Sequence, residues 1–192
     1  MTAKIKLNAA SGGGSFSLQA PSSSSNNRIM TLPDTADGTI LTTTNPKTGN
    51  ILQVVHANQA SAVESTNTAA YTDTGLTGTI TPTSASSTIL VMISQNLRLS
   101  SATNGGQNGG SIQILRGSTN ITTNQQAYLF YNSNGQSASL FNYINYSHQV
   151  LDAPSTTSAT TYKTQQITYG TGTSIFANYA GVSRITLLEI AA

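Results

Sequence analysis

The chain has 192 residues, only 7% of them charged, a formal net charge of +2 and no cysteine. Its length allows one domain, or one domain with an arm. A charge of +2 is far short of the basic stripe that neutralises many phosphates, so we expect no nucleic acid partner. The lack of cysteine excludes a disulfide framework, a thiol nucleophile and a thiolate metal site.

Polar uncharged residues dominate the composition, since Ser, Thr, Asn and Gln fill 84 of the 192 positions. Disordered chains carry higher net charge and lack regular aliphatic runs, which this chain has. A weakly charged, Thr-rich and Asn-rich surface fits extracellular or virion-surface β-proteins better than cytosolic enzymes. No stretch approaches the roughly 18 apolar residues of a membrane span, and the first residues lack the apolar stretch of a signal peptide. We therefore expect no membrane insertion.

Residues 1–50 are predicted to form an extended docking arm. Polar and apolar residues alternate from Ser15 to Ala20, as in a strand with one buried face, and similar runs start at Arg28 and Thr39. The segments between them are rich in Gly, Ser, Pro and Asn, with too few bulky apolar residues to close a core. The arm also holds the whole net charge. We expect it to dock on a partner through Lys4, Lys6, Phe16, Leu18, Arg28 and Leu32.

Residues 51–192 are predicted to form an all-β head, a β-sandwich or jelly roll. Alternating runs occur throughout this part of the chain, and none repeats at helical spacing over three turns. The runs are ILQVV from Ile51, TILVMIS from Thr88, SIQILRG from Ser111, AYLFYN from Ala127, SLFNYINYS from Ser139, TYKTQQITYG from Thr161, SIFANYA from Ser174 and SRITLLEI from Ser183. The breaks contain Asn-Gly pairs, which favour turns.

An arm made of exposed strands leaves backbone amides unpaired, and such edges promote association. Several copies that wind together, or lie on a larger assembly, would complete each other's sheets. The sequence therefore predicts an oligomer.

The arm resembles that of tailed-phage fibre proteins, especially marine and cyanophage-like ones. In these an S-x-x-L-x-A-P strand is followed by TLPD, an acidic Gly turn and GT-L, a pattern that this chain matches at Ser15, Leu18, Ala20, Pro21, Thr31, Leu32, Pro33, Asp34, Gly38 and Thr39. The ending VSRITLLEIAA resembles the last strand of trimeric fibre heads related in shape to tumour-necrosis-factor and C1q jelly rolls. The resemblance covers about the first 45 residues well, and the head by pattern.

The resemblance implies a homotrimeric virion component at the virion surface, with the arm on other virion proteins of the capsid or tail and the head outward. Because 192 residues leave little shaft, a short fibre, a head fibre or a capsid decoration protein is favoured over a long adhesion fibre. We expect the trimer interface on the last strand, which carries more apolar area than one sandwich face needs, at Ile185, Leu187, Leu188 and Ile190.

Catalytic and metal chemistry is poorly supported, and we expect no enzyme, metal or cofactor. A Ser-His-acid triad needs a base held by an acid, but neither His56 nor His148 has an acid within four residues. Asp34 and Asp37 flank a Gly turn without the alternating acids and distal Glu of a calcium loop, so Asx-turn capping is favoured. A small esterase or glycan depolymerase is the least favoured hypothesis.

The alternative function is a receptor-binding head that recognises a host surface glycan. The tyrosines Tyr128, Tyr131, Tyr143 and Tyr146 could pack in the core, line the trimer interface or stack on sugar rings. The segments Asn104–Gly110 and Asn132–Gln136 are predicted to be flexible hairpin connections at the outer end of the head. Their candidate ligand residues are Asn104, Gln107, Asn108, Asn132 and Asn134.

Overall fold

The computed structural model describes residues 4–19, 22–25, 29, 46–101, 106–122, 130–134, 140–170 and 172–192. The chain divides into two compact units, Met1–Ile40 and Leu41–Ala192. The described residues are strands and connections without helix, which confirms the all-β prediction. Over the same ranges, no helix is long and apolar enough to cross a membrane.

The first unit contains an antiparallel hairpin of β1 (Lys4–Asn8) and β2 (Ser15–Gln19). Gly12 and Gly13 take positive φ angles of 84° and 71° in the turn, which favours glycine. Ile5 lies opposite Leu18, and both are exposed together with Leu7. A two-stranded hairpin is marginally stable alone, so this apolar face needs a cover. The prediction of a strand from Ser15 is confirmed, whereas the runs at Arg28 and Thr39 lie largely outside the described residues.

The second unit contains the remaining strands. They are β3 (Ile51–Gln59), β4 (Val63–Ser65), β5 (Thr72–Ile80), β6 (Thr88–Ser101), β7 (Gly106–Arg116), β8 (Thr119–Asn120), β9 (Phe130–Asn134), β10 (Leu140–Asp152), β11 (Thr160–Tyr169), β12 (Thr173–Ala177) and β13 (Ser183–Ile190).

Two antiparallel sheets form the sandwich. The β6 sheet has the order β3-β13-β6-β10, and β12, with β4 beside it, continues along β6 where β13 stops. The β7 sheet has the order β5-β11-β7, with β8 and β9 on the outer edge of β7. Successive long strands pass from one sheet to the other, as in a jelly roll. The predicted β-sandwich or jelly roll is confirmed.

The core lies between the two sheets, and its hydrophobic side chains among the described residues are aliphatic apart from Tyr146 and Tyr162. Strand β6 contributes every second residue, including the fully buried Ile89 and Val91. On β5 a glycine allows the sheets to approach each other. A Cβ on Gly78 would lie 3.2 Å from Ile185 Cγ2 and 3.3 Å from Leu187 Cδ1.

The last strand, β13, is a central strand, and this corrects the expected trimer interface. It pairs with β3 on one edge and with β6 on the other. Alternation then turns Ile185 and Leu187 into the core, where both are 0% exposed within a single chain. The expectation that these two residues face a partner is therefore wrong. Leu188 and Ile190 point the other way and are half-buried on the outer face of the β6 sheet.

A partly buried polar cluster ties the two sheets together. Asp152, on β10, accepts hydrogen bonds from Arg116 Nη1 at 2.8 and 2.9 Å and from the Tyr162 hydroxyl at 2.7 Å. Arg116 and Tyr162 belong to the β7 sheet, so one carboxylate joins three strands. Burial, reinforced by the hydrogen bond to Asp152, raises the pKa of Tyr162 well above its ordinary value. The hydroxyl therefore stays protonated as a donor.

The chain enters and leaves the sandwich at the same end, which we call the entry end. Gly49 N donates to Ala191 O, and Ala191 N donates to Asn50 O, both at 2.9 Å. Strand β6 starts here, since Thr88 lies opposite Ile190, and runs to Ser101 at the far end. The last strand therefore ends beside the first strand of the head.

Candidate functional site

The exposed apolar residues of the second unit are gathered on one face. Within its described ranges, every large hydrophobic side chain that is exposed belongs to the β6 sheet or immediately precedes one of its strands. These residues are Ile51, Val54, Met92, Phe141, Tyr143, Leu151 and Val182. Exposed apolar patches of this kind mark interaction surfaces. The outer face of the β6 sheet is therefore the candidate site.

Near the entry end, one row of aliphatic residues crosses the whole sheet. Leu151 lies opposite Leu90, Leu90 opposite Leu188, and Leu188 opposite Val54. We call these four residues the aliphatic row. Neighbouring strands lie about 4.8 Å apart, so the row is about 14 Å wide and reaches both edge strands, β3 and β10. Leu151 is 61% exposed and Val54 is 59% exposed.

The outer face of the β7 sheet is polar and internally bonded. Gln113 Nε2 donates to Gln165 Oε1 at 2.8 Å, and Gln165 Nε2 donates to Asp73 at 2.7 Å. Lys163 forms an ion pair with Asp73 at 2.9 Å. Antiparallel sheets commonly keep one face in water, and this face has that character. The contrast identifies the β6 sheet as the one whose outer face is suited to being covered.

At the far end, the same face carries an arginine among aromatic rings. The guanidinium of Arg98 lies 3.9 Å from the ring centroid of Phe176, 4.1 Å from that of Tyr179 and 5.4 Å from that of Phe141. Tyr143 lies opposite Arg98 on β10, and its ring is 6.0 Å from that of Tyr179. We call these five residues the arginine cluster. Along β6, Arg98 lies eight positions beyond Leu90 of the aliphatic row, a distance of about 26 Å.

A constrained turn holds Tyr179 in the arginine cluster. Asn178 and Ala180, on either side of it, have φ angles of 60° and 56°, a conformation that costs a residue other than glycine about 1 kcal/mol or more. Asn178 is fully buried. Its amide donates to Thr74 O at 2.7 Å and accepts from Gln95 Nε2 at 3.0 Å. Core hydrogen bonds thus fix the ring position.

A cleft of about 330 Å³ adjoins the arginine cluster. It is lined by hydroxyls and glycines from two connections and β12, namely Thr66, Thr68, Gly170, Gly172, Thr173 and Ser174. Ser174 lies opposite Ser100 on the outer face of the sheet, two residues before Phe176. The hydroxyl-lined cleft and the arginine cluster are therefore neighbours along β12. Pockets for small ligands start near this volume.

The segments predicted to be ligand loops are largely strand. Gln107 and Asn108 lie on β7, and Asn132 and Asn134 lie on β9, with Asn108 opposite Asn132. The expectation of flexible loops at 106–110 and 132–134 is therefore wrong, and shortening residues 104–110 would remove paired strand. Glycine serves close packing here, since a Cβ on Gly110 would lie 3.2 Å from Ile167 O. Asn104 lies outside the described residues.

The two histidines are on opposite faces of the β6 sheet and do not meet. His56 is exposed, with Nδ1 2.9 Å from Thr186 Oγ1. His148 is on the inner side and stacks on Tyr146 at 5.8 Å between ring centroids. Burial raises the pKa of Tyr146 to about 12. Over the part of the chain that the structure describes, no three His, Asp or Glu side chains are grouped to hold a metal ion.

The remaining predicted residues divide between hairpin and undescribed chain. Lys4, Lys6, Phe16 and Leu18 lie on the β1–β2 hairpin, where Lys6 and Leu18 are exposed. Tyr131 lies on β9. Arg28, Leu32, Asp34, Asp37 and Tyr128 lie outside the described residues.

No family model matches the chain, and no curated protein matches its sequence. The chain is similar to one in a structure of the infectious bursal disease virus Gx strain, at 14% identity and TM-score 0.34, covering 93% of this chain and 43% of that one. It is also similar to a chain of T=1 particles derived from that virus, at 12% identity and TM-score 0.35 over 92% and 45%. A third similar chain, in the crystal structure of the VP2 subviral particle of that virus, has 12% identity and a TM-score of 0.35, covering 94% of this chain and 48% of that one. This chain spans less than half the length of each, and at these TM-scores the likeness carries no argument about fold or function.

Proposed function

We propose that the protein is a non-enzymatic structural component of a virion surface, acting as a homotrimer whose heads associate through the outer face of the β6 sheet. The arm docks on another virion protein, and the head is displayed outward as a short fibre or capsid decoration. The tailed-phage resemblance of the arm supports the virion role. The observation that carries the self-association is the aliphatic row.

The charge of this face favours a second copy of the chain as its cover. Two further rows cross the sheet beside the aliphatic row, one from His56 on β3 to Gln149 on β10 and the next from Asn58 to Ser147. The three rows together carry one formal charge, that of Arg184. Identical copies therefore meet with little like-charge repulsion. A strongly charged partner would find little to pair with on this face.

The shape of the row favours a closed ring. Strands β3 and β10 each pair with one strand among the described residues, so both are sheet edges. Because the row reaches both edges, the β10 side of one copy can rest on the β3 side of the next. Contacts between two different edges form a closed ring when the rotation from one copy to the next divides a full turn. Three copies related by a third of a turn form such a ring.

Light scattering at micromolar concentration tests the oligomer. The expected mass is three times the chain mass of 19.9 kDa. A monomer under these conditions would contradict the proposal.

Imaging of intact particles tests the virion role. Particles with the chain should show a head-sized density at lattice axes, at the tail or at one vertex, and particles made without it should lack that density. A shortened chain that retains residues 41–192 keeps the backbone bonds from Gly49 and Asn50 to Ala191. This variant should fold and trimerise but leave the particle undecorated. Decoration at normal occupancy would contradict docking through the arm.

A glycan-recognising head remains the second candidate function. The observation that favours it is the arginine cluster with its neighbouring cleft at the far end, away from the aliphatic row.

A further inference from the structure

We propose that the arginine cluster and the hydroxyl-lined cleft together bind a carboxylate-bearing sugar residue. The biological use of such a site depends on the outward display proposed above, whereas the binding itself does not. Three features of the site carry the proposal: an arginine that pairs with no carboxylate of the described residues, exposed rings beside it, and an adjoining cleft that offers hydroxyls.

Arg98 has no acidic partner among the described residues. The ion pairs there join Arg116 to Asp152 and Lys163 to Asp73. Arg98 Nε is buried and makes no hydrogen bond within the described ranges. A guanidinium presents a planar fork of donors, which matches a carboxylate better than a lysine ammonium does. The site therefore offers a fixed positive group with free capacity for an anion.

One carboxylate of the protein itself lies nearby on the same face. Glu64, on β4, is opposite Phe176, which in turn lies opposite Arg98. Two strand spacings place the backbones of Glu64 and Arg98 about 10 Å apart. That distance is about one Debye length at moderate salt, and Glu64 is exposed, so solvent and salt weaken its attraction for Arg98. Arg98 remains available to a ligand carboxylate.

The rings next to Arg98 are accessible to a ligand. Tyr143 is 60% exposed and Phe141 is 49% exposed, two residues apart on the same face of β10. The apolar C–H face of a sugar ring can pack on such surfaces while the tyrosine hydroxyl stays free to bond. Ser174, Thr66 and Thr68 of the adjoining cleft can donate to or accept from sugar hydroxyls. The combination suits an acidic sugar better than a simple anion.

The site is also preorganised. The turn at Asn178–Ala180 holds Tyr179 against Arg98 at the cost of two residues with positive φ. Because Arg98 and Tyr179 are already held in place, less conformational entropy is lost when a ligand binds. Affinity per site should still be low, about millimolar, and a trimer would gain by avidity.

Binding by the full-length chain tests this proposal. The probe is an α-1,4-linked tetramer of galacturonic acid, with the α-1,4-linked galactose tetramer as its neutral counterpart, followed by NMR titration. We expect saturable binding of the acidic tetramer, at least tenfold tighter than that of the neutral one. Equal affinity for the acidic and the neutral tetramer, or no binding of the acidic tetramer at about 10 mM, would overturn the proposal.

Variants assign the binding to the cluster. Arg98→Gln should weaken binding of the acidic tetramer at least tenfold, and Tyr143→Ala should weaken binding of both tetramers. The matched control is Arg184→Gln on the same face, where the guanidinium bonds Val182 O at 3.3 Å and no ring lies against it in the described structure. Equal affinity in the Arg98 and Arg184 variants would overturn the proposal. If Arg98→Gln lowers the melting temperature sharply, Tyr143→Ala decides, because its ring is mostly exposed.

The two proposals fail separately. A trimer that binds neither tetramer retains the structural role and loses the sugar site. If the protein is a monomer that binds the acidic tetramer, and Arg98→Gln weakens that binding, the sugar site stands and the trimer proposal fails.

Discussion

Replacing Leu151 by Asp should dissociate the trimer without unfolding the head. Leu151 is 61% exposed in the single chain, so the monomer buries little of it. Burying a whole leucine stabilises by about 1.5–3 kcal/mol, so covering the exposed part contributes about 1–2 kcal/mol per copy and about 3–6 kcal/mol per trimer. A buried carboxylate without a partner adds a further penalty. Lost burial alone should raise the dissociation constant about 10²- to 10⁴-fold.

Sedimentation velocity across a concentration series measures this change. The control is Thr161→Asp, which places the same charge at an exposed strand position of the β7 sheet, where Thr161 Oγ1 lies 2.8 Å from Thr79 Oγ1. The control should remain a trimer, and both variants should keep the wild-type β circular dichroism spectrum. If Leu151→Asp sediments as a trimer at every concentration, the aliphatic row is not the interface. Leu188→Asp is a weaker test, because Leu188 is half-buried on a central strand and its replacement also threatens the fold.

Three further predictions concern stability and are measured by denaturant unfolding. Burial by itself raises the pKa of the fully buried Glu189, but hydrogen bonds from Gln53 and Thr83 outweigh this and hold its pKa below the ordinary 4.5. The stability that the Glu189 carboxylate contributes is therefore present above pH 4.5 and is lost as the pH falls below that value. The Glu189→Gln variant should be less stable than the wild type at pH 7, and its stability should fall less below pH 4.5. Wild-type and variant stabilities that run parallel across this pH range would contradict this. Asp152→Ala should cost about 3 kcal/mol, because it leaves Arg116 and the buried Tyr162 hydroxyl without their partner, and a cost under about 1 kcal/mol would show that the cluster is not what joins the sheets. Gly78→Val should cost about 1–3 kcal/mol by overpacking against Ile185 and Leu187, whereas Gly14→Val, at a position with open space around its Cβ and no positive φ, should cost under about 0.5 kcal/mol. Equal losses in the two variants would contradict the close approach of the sheets.

The sequence predicted strands well where alternation was supported by large aliphatic residues. Strand β6 turns Ile89, Val91 and Ile93 into the core, and its period of two is evident in the sequence. Strand β5 was missed because two of its buried positions are Thr74 and Gly78, small residues that fit where the sheets lie close together. Where large side chains of the facing sheet fill the space, the buried positions of a strand can be small, and the strand then lacks the alternation of large apolar residues that predicts it.

The face of a strand was harder to assign than its existence. Strand β13 is apolar on both sides, and the sequence cannot tell which side meets the core and which meets another surface. Pairing with β3 and β6 decides it, and those contacts lie far away along the chain. The arginine cluster was missed for the same reason, since its residues come from β6, β10, β12 and one turn. Tyr143 alone had been singled out, as one of four tyrosines that could stack on a sugar.

Thiol labelling at position 151 tests most directly whether the outer face of the β6 sheet is covered in the assembled protein. Because the chain has no cysteine, a single Leu151→Cys substitution gives one reporter, with Thr161→Cys on the β7 sheet as its counterpart. In the wild-type background at micromolar concentration, the thiol at 151 should react at least tenfold more slowly than that at 161. The two rates should converge on dilution as the trimer dissociates. Equal rates at every concentration would contradict the account.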